Sequence, residues 1–176
     1  MALAAAGDYV EAEDTLLKVQ NELYRQELSY CTWLARCYIK NKKAGLAWNL
    51  YPSIDEENRI HFLKVIGGDS FRAKSFLVAA RSFHKLSNLD NNIDYSQGIK
   101  SACVGIFRNV VCENYIKNAV SETTKNSIRE AIDILQDIDA EAHNDLKQIL
   151  ITLKNWMKRN IAKESRTSIP IMRNSK

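Results

Sequence analysis

The side chains best suited to chemistry in this chain are four cysteines, three histidines and one Gly-Gly pair. Cys31 and Cys37 lie in "SYCTWLARCYIKNKKAGLAWNLY", alongside Trp33 and Trp48. A metal site, a stacking platform for nucleic acid, or a packing seam would each explain that density. Six residues of helix separate two positions by roughly 9 Å along the axis and about 120° around it. The pair can then neither share a zinc ion nor close a disulfide without unwinding the helix. Cys103 and Cys112 fall on opposite sides of their own helix. All four read as structural thiols.

His61, His84 and His143 belong to separate segments, and none sits in an H-x-x-x-H or H-E-x-x-H pattern. In "VIGGDSFRAKS", Gly67 and Gly68 precede a helix expected from about Ser70, and helix N-termini attract anions. Yet neither G-x-x-x-x-G-K-[ST] nor G-x-G-x-x-G is present, and no strand leads in. Close packing at Gly67, with a helix break at Gly68, is the better reading. No enzymatic activity, cofactor or metal is expected.

The elements that position these residues are helices. Six glycines and two prolines in 176 residues are too few for the closely spaced turns of a β-sandwich or barrel. With 45% apolar and 26% charged residues, the composition is globular. No apolar run reaches the ~18 residues of a membrane span. Met1–Gly7 lacks the basic start and apolar length of a signal peptide. A soluble intracellular chain with reduced thiols is expected.

Small and apolar residues recur at helical spacing, and the pattern repeats. Ala12, Ala47 and Ala79 align three copies, 35 and 32 residues apart. These intervals bracket the tetratricopeptide period of about 34 residues, one helix–turn–helix unit. Small Ala35 and Ala47 would let two helices approach while Tyr38 and Tyr51 fill the gap beside them. Asn41 to Gly45 supplies the turn. The first copy holds only its second helix, so the chain is expected to begin mid-repeat within a longer solenoid. Long helices are expected from about Asp94, from a capping box at Ser127 and Glu130, and around Leu146 to Met157. The fold class is therefore all-α: tetratricopeptide-like hairpins over 7–90, capping helices over 94–161, and a disordered basic tail over 163–176. From Lys154 to Lys176 the charge is +6, against +4 for the whole chain, so the body is slightly acidic. A solvated tail is the simplest reading, although such a tail also suits an acidic partner, nucleic acid or a membrane surface.

In such arrays the inner surface is lined by first-helix residues that lie off the packing stripe. These are Ser29, Thr32, Arg36, Ile39 and Lys40 in the second repeat, and His61, Lys64, Phe71 and Arg72 in the third. Trp33 also falls outside the stripe and should meet the next hairpin or a partner. The candidate partner-binding set is thus Trp33, Arg36, Lys40, His61, Lys64, Phe71 and Arg72, a mildly basic groove suited to an acidic peptide. The alternative is an RNA-binding pentatricopeptide-like array, whose 35-residue period fits the Ala12–Ala47 interval. Few repeats and an acidic body weigh against it.

"GDYVEAED", "YCTWLARCYIKNKKAGLAWNLY", "FHKLSNLD" and "SACVGIF" resemble the C-terminal region of the intraflagellar transport protein fifty-six family. "LKQILITLKNWMKRN" is similar to that family's last helix, with Trp156 at its tryptophan. The resemblance implies a tetratricopeptide-repeat subunit of intraflagellar transport complex B, a non-enzymatic adaptor for cilium assembly and delivery of motility-related cargo. It implies partners among the other complex B subunits, including the one called intraflagellar transport protein forty-six, and ciliary cargo. It also implies a location in the cilium or flagellum, at the basal body and in the cytoplasm.

Ala47→Trp should overpack the second hairpin and cost ~1–3 kcal/mol. Urea denaturation measures this, and unchanged stability would refute the repeat phase.

Overall fold

A computed structural model describes residue 3 and residues 6–90, 93–117, 120–138 and 144–167, with residue 117 and residues 161–167 described by backbone alone. Every regular element among them is helical. In chain order they are α1 (Tyr9–Leu17), α2 (Glu22–Gln26), α3 (Leu28–Lys40), α4 (Ala44–Asn49), a 3₁₀ turn (Tyr51–Ser53), α5 (Glu56–Arg72), α6 (Phe76–Leu89), α7 (Ser96–Lys117), α8 (Glu122–Asp137) and α9 (Asn144–Thr167).

Local chemistry sets the helix ends. Gly7, at φ +90°, turns the chain into Asp8, whose carboxylate accepts from the Glu11 N–H at 3.0 Å. Asn21 caps the short α2, which the hydrophobic pattern did not reveal, by accepting from the Leu23 and Tyr24 N–H groups. The two hairpins, α3–α4 and α5–α6, share one turn. In each the first helix ends on a lysine in the left-handed region, Lys42 at φ 61° and Lys74 at φ 62°. The next residue then donates back to a carbonyl near the helix end, Lys43 to Tyr38 at 2.7 Å and Ser75 to Ser70 at 2.8 Å. Identical closure in both units is structural evidence for a repeat.

Small residues make the hairpins close. Ala35 of α3 and Ala47 of α4 are fully buried, with Cys31, Leu34 and Tyr38 in the same core. The second helix of this hairpin is short: past Asn49 the chain tightens into the 3₁₀ turn holding Pro52, and Trp48 stacks on Tyr51 at 5.4 Å.

Several expectations need correction. α5 runs unbroken through Gly67, Gly68 and Ser70, so there is neither a break at Gly68 nor a helix start near Ser70. The α8 cap is Ser121, which accepts from the Thr124 N–H at 3.3 Å; Ser127 lies inside the helix, its hydroxyl donating to the Thr123 carbonyl. Helix α9 ends at Thr167, beyond the Lys163 at which an unstructured tail was expected; residues 168–176 lie outside the described residues.

The C-terminal helices continue the stack. Buried Ile99, Ala102, Cys103, Ile106 and Val110 of α7 face Ile128, Ala131 and Leu135 of α8 and Leu146 and Leu153 of α9. Arg81 on α6 makes a two-pronged ion pair with Glu130 on α8, and Lys100 on α7 pairs with Asp145 on α9. This layer joins the hairpins through aromatic rings seated on bare backbone. A Cβ on Gly67 of α5 would lie 3.2 Å from the Phe83 ring, and one on Gly98 of α7 would lie 3.0 Å from it. Phe76 sits still closer, 2.5 Å from a Cβ at Gly105. "SACVGIF" therefore contains a glycine because a phenylalanine ring occupies the space of its side chain.

Gly105→Ala should cost ~1–3 kcal/mol of stability despite its better helix propensity, because the Phe76 ring must move. A denaturant melt unchanged from wild type would contradict this packing.

Candidate partner-binding face

α3 and α5 lie side by side, each followed by its return helix, and their outward faces adjoin. On α3 the outward positions are Ser29, Trp33, Arg36 and Lys40, while on α5 they include His61, Gly68 and Arg72. Arg36 Nε donates to Asp69 Oδ2 at 3.1 Å across the two helices. Arg72 donates to the other oxygen of the same carboxylate at 2.5 Å. The Arg36 guanidinium also lies 5.2 Å from the centre of the Trp33 ring. Trp33 is half-buried against Ala12 and Cys37, so it serves the contact with α1. Lys40 places its ammonium 5.6 Å from the centre of the Tyr9 ring.

The expected set therefore divides. Arg36 and Arg72 meet on Asp69, with Trp33 and Lys40 beside them and His61 exposed further along α5. Lys64 turns away and pairs with Asp90 at 3.1 Å; that hydrogen bond, chiefly, raises its pKa above the ordinary lysine value. The Tyr95 hydroxyl donates to the same carboxylate at 2.9 Å. Phe71 packs edge-on against Phe76 at 5.6 Å. Thr32 and Ile39, expected on the inner surface, are buried because α3 has neighbours on most sides. Asp69, which organises the face, carries no sequence signal stronger than its i,i+3 relation to Arg72.

Beside Trp33, an apolar cavity of ≈ 230 Å³ opens between α1, α2 and α3, lined by Leu16, Val19, Tyr24, Tyr30 and Cys37 among others. The thiols here and in the C-terminal core are held protonated. Burial raises the pKa of Cys31 and Cys37 and pushes that of Cys103 up to about 12. Thiolate, the form that attacks carbonyls or binds metals, is correspondingly disfavoured.

The position of α1, and hence of Tyr9 beneath Lys40, depends on a buried carboxylate. Glu13 accepts from Asn41 Nδ2 at 2.6 Å and from Lys43 Nζ at 2.7 Å, while Asn41 also donates to the Tyr9 carbonyl at 3.0 Å. Burial raises the Glu13 pKa, but the Lys43 and Asn41 hydrogen bonds outweigh it and hold the acid below its ordinary 4.5.

Stacked helical hairpins of this kind define a helical-repeat protein. The family model for "Intraflagellar transport protein 56" matches residues 1–164, and the chain belongs to that family. A curated relative from Caenorhabditis elegans, "Intraflagellar transport protein 56 homolog", is 28% identical over 150 residues, covering 85% of this chain and 25% of the relative. The chain thus spans about a quarter of the length of that relative. No solved structure matches it.

Because the Glu13 pKa is depressed on folding, its stabilising effect is complete above the ordinary value of 4.5 and is lost as pH falls through the lower folded value. Melts between about pH 6 and about pH 3 should show Glu13→Gln with a flatter acid limb than wild type. Parallel limbs would show that the carboxylate is not the anchor.

Proposed function

We propose that this chain is a non-enzymatic adaptor within intraflagellar transport complex B, supporting cilium assembly and the delivery of motility-related cargo. The observation that carries this reading is the family match over residues 1–164. Its partners would be other complex B subunits, the one called intraflagellar transport protein forty-six among them, and ciliary cargo. It would act in the cilium or flagellum, at the basal body and in the cytoplasm. In this reading the hairpins over 7–90 offer the binding surface, through Trp33, Arg36, Lys40, His61 and Arg72, and the helices over 94–161 close the stack. The ion pairs of Arg36 and Arg72 with Asp69 support it, since they fix two guanidinium groups at the surface in a set orientation.

The full chain, tagged and expressed in ciliated cells, should co-purify with complex B subunits and concentrate in cilia. Arg36→Glu combined with Arg72→Glu should weaken that recovery while leaving the circular-dichroism spectrum helical. A folded wild-type chain that recovers no complex B subunit would overturn the adaptor reading. RNA binding that survives removal of residues 163–176 would favour the pentatricopeptide-like alternative.

A further inference from the structure

Two local rules of helix chemistry are broken at the same end of the α3–α5 face. The first concerns Gly68. Mid-helix glycine costs stability relative to alanine, and Gly67, Gly98 and Gly105 each justify that cost with a close neighbour on the missing side chain. Gly68 does not. A Cβ there would meet nothing nearer than the flexible Arg72 guanidinium, at 3.9 Å. It lies one turn before Arg72 on the outward face of an unbroken helix. Nothing among the described residues requires the bare backbone.

The second concerns the turns. At a helix C-terminus the left-handed position favours glycine, because a side chain there is strained. Both hairpins instead place an exposed lysine in it, Lys42 and Lys74. Glycine is thus present where alanine would serve the helix, and lysine where glycine would serve the turn. Departures from local optimality mark functional positions when they cluster, and these do. Lys42 follows Lys40 past the end of α3, and Lys74 follows Arg72 past the end of α5. Arg36 and Arg72 share the single carboxylate of Asp69, and Lys42 and Lys74 are exposed at the ends of the two helices that carry them. The opposite end of the face bears Glu57, so the face is polar along its length.

Resting on the partner-binding reading of this face, we propose that its basic end takes an acidic segment of another polypeptide, whose backbone crosses α5 directly over Gly68. The missing side chain lets the segment approach closely. Arg36, Arg72 and the two turn lysines then bind its carboxylates from either side.

A phage-displayed library of random dodecapeptides, selected on the full chain, tests this. The recovered peptides should be enriched in Asp and Glu, and their binding should weaken as salt rises. Gly68→Leu, and separately Lys42→Gly with Lys74→Gly, should each weaken the selected peptides by about tenfold or more. Neither change should unfold the protein: Gly68→Leu should keep or raise the melting temperature, Gly68→Ala should raise it by roughly 1–4 °C, and the lysine-to-glycine pair should not lower it. Neutral or basic selected peptides, or no enrichment, would overturn the acidic partner. Acidic peptides indifferent to Gly68→Leu would overturn the close approach. Acidic peptides bound as described by a chain that recovers no complex B subunit would support this inference while removing the adaptor reading on which it was placed.

Discussion

The ring of Phe83, held between Gly67 of α5 and Gly98 of α7, is the contact on which the architecture depends. Among the described residues, Phe83 and Tyr95 pack against both the core of the hairpins and the core of the C-terminal helices. Helix α6 supplies the backbone of this junction, with Val78 and Leu86 in the first cluster and Ala79 and Ala80 in the second. Ring-on-glycine packing of this kind brings helix axes closer than a Cβ permits, and it is intolerant of added atoms. Phe76 on Gly105 repeats the device further along α6. Helix α6 is therefore both the last helix of the repeats and the first wall of the closing layer.

Charge finishes what apolar packing begins. The Arg81–Glu130 and Lys100–Asp145 pairs fix the α7–α9 layer against α6 and within itself. At the other end Glu13 and its two donors seat α1 on the α3–α4 turn. Pairs as exposed as Lys100–Asp145 contribute little each to stability, so their value is orientation. Between these anchors lies the α3–α5 face, where Arg36 and Arg72 both pair with Asp69. Recognition surfaces gain from such preorganisation because less ordering is required on binding.

The repeat was legible because burial leaves a trace in residue size. Ala12, Ala47 and Ala79 align at the expected interval, and each is buried. Gly67 was likewise readable as a packing position. What stayed hidden was set by tertiary neighbours. The break expected at Gly68 does not occur, because the helix on either side outweighs one glycine's propensity cost of ~1 kcal/mol. The Ser127–Glu130 pattern fits a capping box, yet Ser121 takes the cap and α8 starts more than a turn earlier. Thr32 and Ile39 face inward because α1, α2, α4 and α5 all pack on α3, which a single-helix wheel cannot convey. Asp69 draws Arg36 from 33 residues away, a pairing only the fold creates.

The most direct test of this account asks whether the hairpins and the C-terminal helices unfold together. Trp33 and Trp48 report on the hairpins and Trp156 on the C-terminal core. Urea denaturation of variants retaining one tryptophan each, followed by fluorescence, should give coincident transitions in the wild-type background. With Phe83→Ala added, the transitions should separate, the two clusters having lost their shared ring. Separate transitions before that substitution, or coincident ones after it, would contradict the claim that Phe83 joins two cores into one cooperative unit.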